Sequence, residues 1–380
     1  MNDMHGILFA YSSNFRLKEL TEHRTASSLP FGARYRVIDF MLSNMVNAGI
    51  TDVGVIMREN YQSLLDHLGS GRDWDLSRKR GGLRILPPFA YALTTDNKRV
   101  SRDASPYRGK LEALQAVGAY LDHIKQEYIV LADGDLIVNL PLEEIFEQHL
   151  ASGADITCVC SSKRGDGLDA EASYARLGTR GRITEVLIGA MEEGIFPLLG
   201  VYILSKKKLT DLMAENSQHH NGVHFTRDIL QRMQPHLRLM SYVYDGFSTR
   251  LRSVSDYFEQ SMNLLKPGVR SDLFYRGRPI KTKVRDDAST YYAPESRVKH
   301  CVVADGCVIR GSLENCVVFR GVRIDEGAVL KNCIFMQDTR IEKSVELSYA
   351  ITDKEVCIRE GRSLKGHEVH PIAFSKGSVV

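Results

Sequence analysis

From about Val298 to the C-terminus, aliphatic residues recur with a step near six among glycines and β-branched positions, and no helical periodicity accompanies them. Val318, Ile324, Leu330 and Met336 are spaced by six, and Ile341 to Leu347 repeats the step after a slip of one. Gly306, Gly311, Gly321, Gly327 and Gly361 supply corners. An antiparallel sheet would alternate with period two instead. The spacing therefore predicts a hexapeptide-type parallel β-helix over residues 296–380, each turn stacking its aliphatics on the next. Phe319 and Phe335 are expected on its outer surface, where they would suit subunit contacts.

Upstream, short apolar runs alternate with helical patterns, which predicts a doubly wound α/β domain over residues 1–265, with parallel strands joined by crossover helices. Strands are expected at His5 to Ala10, Val53 to Met57, Tyr128 to Ala132, Ile156 to Ser161 and Leu199 to Leu204. Helices are expected at Val37 to Ala48 with Gly49 as a stop, Leu111 to Ile124, and Leu142 to Leu150 behind Pro141. Residues 266–295 hold Pro267, Gly268, Gly277, Pro279 and Pro294 and read as a linker. A length of 380 residues suits two domains, because single cores stop growing near roughly 250–300 residues. Ligands of doubly wound sheets sit at the carboxyl ends of the strands, so chemistry is expected after Ala10 and Ala132.

A net charge of +3 without a long basic run gives no footprint for nucleic acid. The N-terminus has no signal-peptide pattern and no apolar run approaches a membrane span, so a cytoplasmic protein without membrane contact is expected. The seven cysteines, Cys158, Cys160, Cys301, Cys307, Cys316, Cys333 and Cys357, show no metal-ligand spacing and read as buried thiols. His67, His219, His220, His367 and His370 show no nucleophile or metal arrangement and are expected at the surface or in loops.

Several ordered motifs carry a resemblance. They are Arg16-Leu17-Lys18-Glu19-Leu20-Thr21, then Pro30-Phe31-Gly32-Ala33-Arg34-Tyr35-Arg36-Val37-Ile38-Asp39-Phe40 and Leu42-Ser43-Asn44, then Gly69 to Leu76, Ile85-Leu86-Pro87-Pro88, Tyr107-Arg108-Gly109 and Gly134-Asp135. In order and spacing the chain resembles the ADP-glucose pyrophosphorylase (glucose-1-phosphate adenylyltransferase) family over nearly its whole length. The resemblance implies a nucleotidyltransferase-like, Rossmann-like domain followed by a left-handed parallel β-helix.

Against that family the departures fall on the machinery. The family's glycine-rich loop, whose amides cradle the triphosphate, corresponds to Ala10-Tyr11-Ser12-Ser13-Asn14-Phe15-Arg16, where no glycine remains; a Cβ bars the close approach. Arg16 matches the catalytic arginine. Asp135 matches the first Mg²⁺ aspartate, while the second position holds Ser253, a hydroxyl in place of a carboxylate. Asp135 has a plainer possible role, capping the helix behind Pro141. The lysine that neutralises glucose 1-phosphate aligns with Ile188, a pocket glycine with Ala175, and a pocket serine with Leu198; Tyr107 is kept. Arg34 and Arg36 align with a basic segment near the effector region of relatives, although arginines in such positions often make plain ion pairs.

The resemblance narrows to the GlgD-type paralogue of that family, a subunit with a degraded active site. It implies a regulatory chain with no intact catalytic residues and no cofactor of its own. It would tune a catalytic ADP-glucose pyrophosphorylase subunit in a hetero-oligomer, a heterotetramer, with Mg²⁺ entering through the partner and a sugar-phosphate or nucleotide effector. Two alternatives stand beside it. One is an active sugar-phosphate nucleotidyltransferase with atypical site residues. The other is an acyltransferase, which would need a catalytic histidine within the coils, whereas His300 and His367 are expected to flank them.

Overall fold

The computed structural model describes residues 3–11, 15–88, 107–163, 172–189, 192–219 and 222–380. The chain divides into two compact units, one of Met1–Tyr11, Met41–Tyr61 and Gly69–Ser248, the other of Ser12–Phe40, Gln62–Leu68 and Thr249–Val380.

The first unit is built on a nine-stranded mixed sheet. Four central strands, Tyr128–Asp133, Met4–Phe9, Asp52–Ile56 and Gly82–Leu86, pair in parallel in that order. Met4–Phe9 is buried along its whole length, which is why it reads as a continuous apolar run rather than an alternation. The strand expected at Leu199 to Leu204 runs from Ile195 to Ser205 and is antiparallel to both of its long neighbours, Tyr128–Asp133 and Ile156–Ser161, so the sheet departs from an all-parallel arrangement. Leu239–Tyr244 extends the sheet beyond Ile156–Ser161, and Ser173–Leu177 with Ile183–Ile188 forms an antiparallel ribbon on the start of Ile195–Ser205.

The expected helix from Leu111 to Ile124 is two helices, Lys110–Ala116 and Gly118–His123, broken at Val117. The helix over Val37–Asn47 ends where expected: Gly49 takes a left-handed φ of 76°, a conformation glycine adopts without steric cost.

In the second unit the six-residue step does build a parallel β-helix. One face stacks Tyr291, Val308, Arg323, Arg340 and Cys357 in register, so successive coils advance by 17, 15, 17 and 17 residues. A coil of 17 residues cannot keep a strict six-residue step, and the inward columns show where it slips. Ile309, Ile324, Ile341 and Ile358 form one column, and Leu313, Leu330 and Leu347 another. Between them the third column runs from Val318 to Phe335. Phe335 therefore takes the place in the cluster inside the coils, and Met336, six residues after Leu330, is fully buried but outside that cluster.

This corrects the surface role expected for two phenylalanines, since Phe319 and Phe335 are both fully buried. Corners recur once per coil with left-handed φ, at Gly306, Gly321, Asp338 and Glu355, and at His300, Asn315, Asn332 and Tyr349. His300 is thus inside the first coil, where its Nδ1 lies 2.7 Å from Asn315 Oδ1. Within residues 266–295, Pro267–Phe274 is helical and Tyr291–Tyr292 already pairs with the next coil.

Candidate functional site

At the carboxyl ends of the central strands, where a doubly wound sheet holds its ligand, the chain's own side chains crowd together. Tyr11 follows the first strand. Its ring lies 6.2 Å from that of Tyr107 and 6.1 Å from that of Phe9, and the Arg58 guanidinium sits 5.5 Å from its centroid. Burial, then the charge of Asp133, pushes the Tyr11 phenol far above its usual range. The Lys110 ammonium pairs with Asp133 at 2.5 Å and lies 5.7 Å from the Phe9 ring centroid.

The turn that delivers Tyr107 and Lys110 explains the glycine of Tyr107-Arg108-Gly109. A Cβ on Gly109 would come within 2.3 Å of the Val223 carbonyl, the same carbonyl that accepts from the Leu111 amide at 3.0 Å.

Three of the pocket positions expected from the sequence, Tyr107, Ala175 and Leu198, join an apolar cluster. Tyr107 and Ala175 are fully buried in it, and Tyr11, Phe196 and Leu198 pack against it. Ala175 pairs with Val186 and Phe196, and Ile188, half-buried, ends the Ile183–Ile188 strand opposite Ser173. Asp135 is 9% exposed. The following helix, Leu142–Ser152, has Pro141 at its N-cap position and no side-chain cap hydrogen bond there. Residues 12–14 of the glycine-free loop lie outside the described residues, and Arg16 lies in the short helix Phe15–Thr21.

Lys110, Asp133 and Arg58 belong to this candidate site, and the sequence motifs do not single them out. Two signals were available: Lys110 follows the tyrosine-arginine-glycine turn directly, and Asp133 precedes Asp135 by two.

Ser253 belongs to the second unit, where its structural work is local. It is the N-cap of the helix Val254–Asn263, its hydroxyl accepting from the Asp256 amide at 3.0 Å. Ser253→Ala is expected to lower stability by about 1 kcal/mol and Ser253→Asp to leave it unchanged, since aspartate caps as well as serine. Urea unfolding of both variants checks this, and an alanine variant as stable as the parent would contradict it.

Of the two arginines singled out in the sequence, Arg34 makes an exposed ion pair with Asp305 at 3.5 Å. Arg36 is drawn inward, donating from Nη1 to the Ser63 carbonyl at 2.7 Å and to its hydroxyl at 2.8 Å. Burial, then the charge of Arg24, lowers the Arg36 guanidinium to about 10. Arg24 itself forms a buried two-pronged pair with Asp353, at 2.8 and 2.7 Å. His67, expected at the surface, is buried beside Asp39.

Lys354 completes this cluster. Burial, then Arg36 and Arg24, lowers its ammonium from 10.5 to about 7, against the pull of Asp353. A lysine that gives up its proton near pH 7 when folded, but only near 10.5 when unfolded, leaves the unfolded chain holding more protons between those values. Stability therefore rises with pH across that window. Urea midpoints are expected to climb through it and Lys354→Met to flatten the climb; a pH-independent midpoint in the parent chain would contradict the assignment.

The first unit is a nucleotidyltransferase-type α/β unit and the second a hexapeptide β-helix. Residues 6–185 match the nucleotidyl transferase family and residues 285–368 the GlmU-like C-terminal hexapeptide family. The glycogen biosynthesis protein GlgD of Bacillus subtilis (strain 168) is 32% identical over 378 residues, covering 100% of this chain and 97% of the relative. The GlgD protein of Geobacillus stearothermophilus is 34% identical over 329 residues, 87% of this chain and 83% of the relative. The glucose-1-phosphate adenylyltransferase of the same organism is 31% identical over 335 residues, 86% and 82%. The chain belongs to the family of GlgD glycogen-biosynthesis proteins and glucose-1-phosphate adenylyltransferases.

Of the two carboxylates by which the resemblance would hold Mg²⁺, Asp135 is present, while position 253 offers a hydroxyl that caps a helix. Asp133, two residues before Asp135, is paired with Lys110. All seven thiols are free, with Cys301 and Cys357 half-buried and the other five buried. No helix among the described residues is long and apolar enough to cross a membrane.

Proposed function

We propose that this chain acts in glycogen biosynthesis as a non-catalytic subunit that assembles with a catalytic ADP-glucose pyrophosphorylase paralogue and tunes it. The observation that carries the reading is the state of the strand-end crevice. Tyr11 packs against Tyr107 there, the Lys110–Asp133 pair neutralises its charge internally, and hydrocarbon at Ile188 and Leu198 occupies positions where the resemblance puts a lysine and a serine for a dianionic sugar phosphate. Mg²⁺ in the assembly is then held by the partner, and the assembly is a heterotetramer. Arg34 and Arg36 serve its response to a phosphorylated effector, with Arg36 backed by Arg24 and Lys354.

Assembly tests this reading. Co-expressed with its catalytic paralogue, the chain is expected to co-purify and to change the oligomeric state of the partner. A partner that runs as the same homo-oligomer whether or not this chain is present would overturn it.

A further inference from the structure

Lys110 is the first residue of the helix Lys110–Ala116, and a cation there opposes the helix dipole, whose positive end it meets. The turn nonetheless holds it firmly. On one side Gly109 packs so closely on the Val223 carbonyl that a Cβ would come within 2.3 Å, and on the other the Leu111 amide donates to the same carbonyl at 3.0 Å. What the side chain reaches, rather than the helix it opens, accounts for a lysine at this position.

It reaches the end of the central sheet. Phe9 and Asp133 are register partners on adjacent parallel strands, and the Gly134 amide donates to the Phe9 carbonyl at 2.9 Å, so ring and carboxylate share one face. The Lys110 ammonium lies 2.5 Å from Asp133 Oδ1 and 5.7 Å from the Phe9 ring centroid. The two side chains of the pair are 28% and 11% exposed, largely out of water, where opposite charges hold each other more strongly than at the surface. The other cation of the crevice, Arg58, is engaged elsewhere, with Glu59 at 2.6 Å and the Tyr107 carbonyl at 3.4 Å.

An ammonium is satisfied by one carboxylate and an aromatic face. A divalent ion such as Mg²⁺ demands a shell of oxygens, whereas Phe9, Tyr11 and Tyr107 present rings packed on one another. Such an ion must also break the ion pair before it can reach Asp133. We propose that Lys110 is a built-in cation that shuts divalent metal out of the crevice, its ammonium taking the place on Asp133 that an external ion would otherwise fill. The inference rests on the reading of the crevice as non-catalytic and names the residue that enforces it.

Titration of the full chain with Mn²⁺, followed by the electron paramagnetic resonance of the free ion, tests this without substrate or partner. Lys110→Met is expected to bind Mn²⁺ at least about tenfold more tightly than the parent chain, and the further change Asp133→Asn to return the affinity to that of the parent. Mn²⁺ is likewise expected to raise the melting temperature of Lys110→Met and of Lys110→Gln while leaving that of the parent unmoved. An affinity unchanged by Lys110→Met, a gain that survives Asp133→Asn, or lysine variants that Mn²⁺ does not stabilise would overturn the proposal. Each of those results leaves the non-catalytic reading intact, since turnover and assembly test that reading separately.

Discussion

The variant carrying Ser253→Asp and Ile188→Lys is expected to make no ADP-glucose above background, although it returns a carboxylate and a cation to two positions where the family has them. Both changes leave in place the side chains at the end of the first strand, where Tyr11 packs on Tyr107 under Arg58 and Lys110 pairs with Asp133. Removing one preorganised donor or charge typically costs roughly 10²–10³ in rate, and groups that act as a unit do not recover one at a time. Only when glycines also replace Tyr11, Ser12 and Asn14, beside Arg16, is synthesis expected to appear. Assays of the single, double and combined variants decide between the explanations; substantial activity in the double variant with Tyr11 in place would show that the filled crevice is not the barrier.

Arg24→Ala is expected to destabilise the second unit by about 3–5 kcal/mol, because it strands the Asp353 carboxylate in the interior. The side chains of this pair are 3% and 1% exposed. Replacing both partners with hydrocarbon, as in Arg24→Met with Asp353→Leu, is expected to recover most of the loss, since the penalty lies in the unpaired charge. Urea unfolding of the two variants measures it. A loss below about 1 kcal/mol for Arg24→Ala would mean that the carboxylate finds water or another cation.

Much of this architecture can be read directly from residues. The strands buried on both faces announce themselves as unbroken apolar runs, as at Met4–Phe9 and Ile156–Ser161. Ser173–Leu177 and Ile183–Ile188 do not, because they form a ribbon with exposed and half-buried positions whose alternation is diluted by Arg176, Thr184 and Glu185. The β-helix is legible from its six-residue step, but the assignment of inward residues fails at one place for a definite reason: a 17-residue coil shortens one side, which turns Phe335 inward where strict spacing chooses Met336.

The site divides in the same way. Ala175, Ile188, Leu198 and Ser253 are visible as replacements because a pattern exists to compare them with. The Lys110–Asp133 pair, the packing of Tyr11 and the Arg24–Asp353 pair join residues 23, 96 and 329 positions apart in sequence, and no local pattern announces such pairings. His67 illustrates the same limit, since only the fold brings Asp39 to it.

The measurement that bears most directly on the non-catalytic, partner-tuning reading is ADP-glucose synthesis at saturating ATP, glucose 1-phosphate and Mg²⁺ by this chain alone, by its catalytic paralogue alone, and by the two together. The expected result is no product above a blank for this chain, turnover by the paralogue, and a higher maximal rate or an altered effector response for the pair. Turnover by the isolated chain within about tenfold of an ordinary enzyme rate of roughly 10 s⁻¹, or a pair that behaves as the paralogue alone, would contradict it.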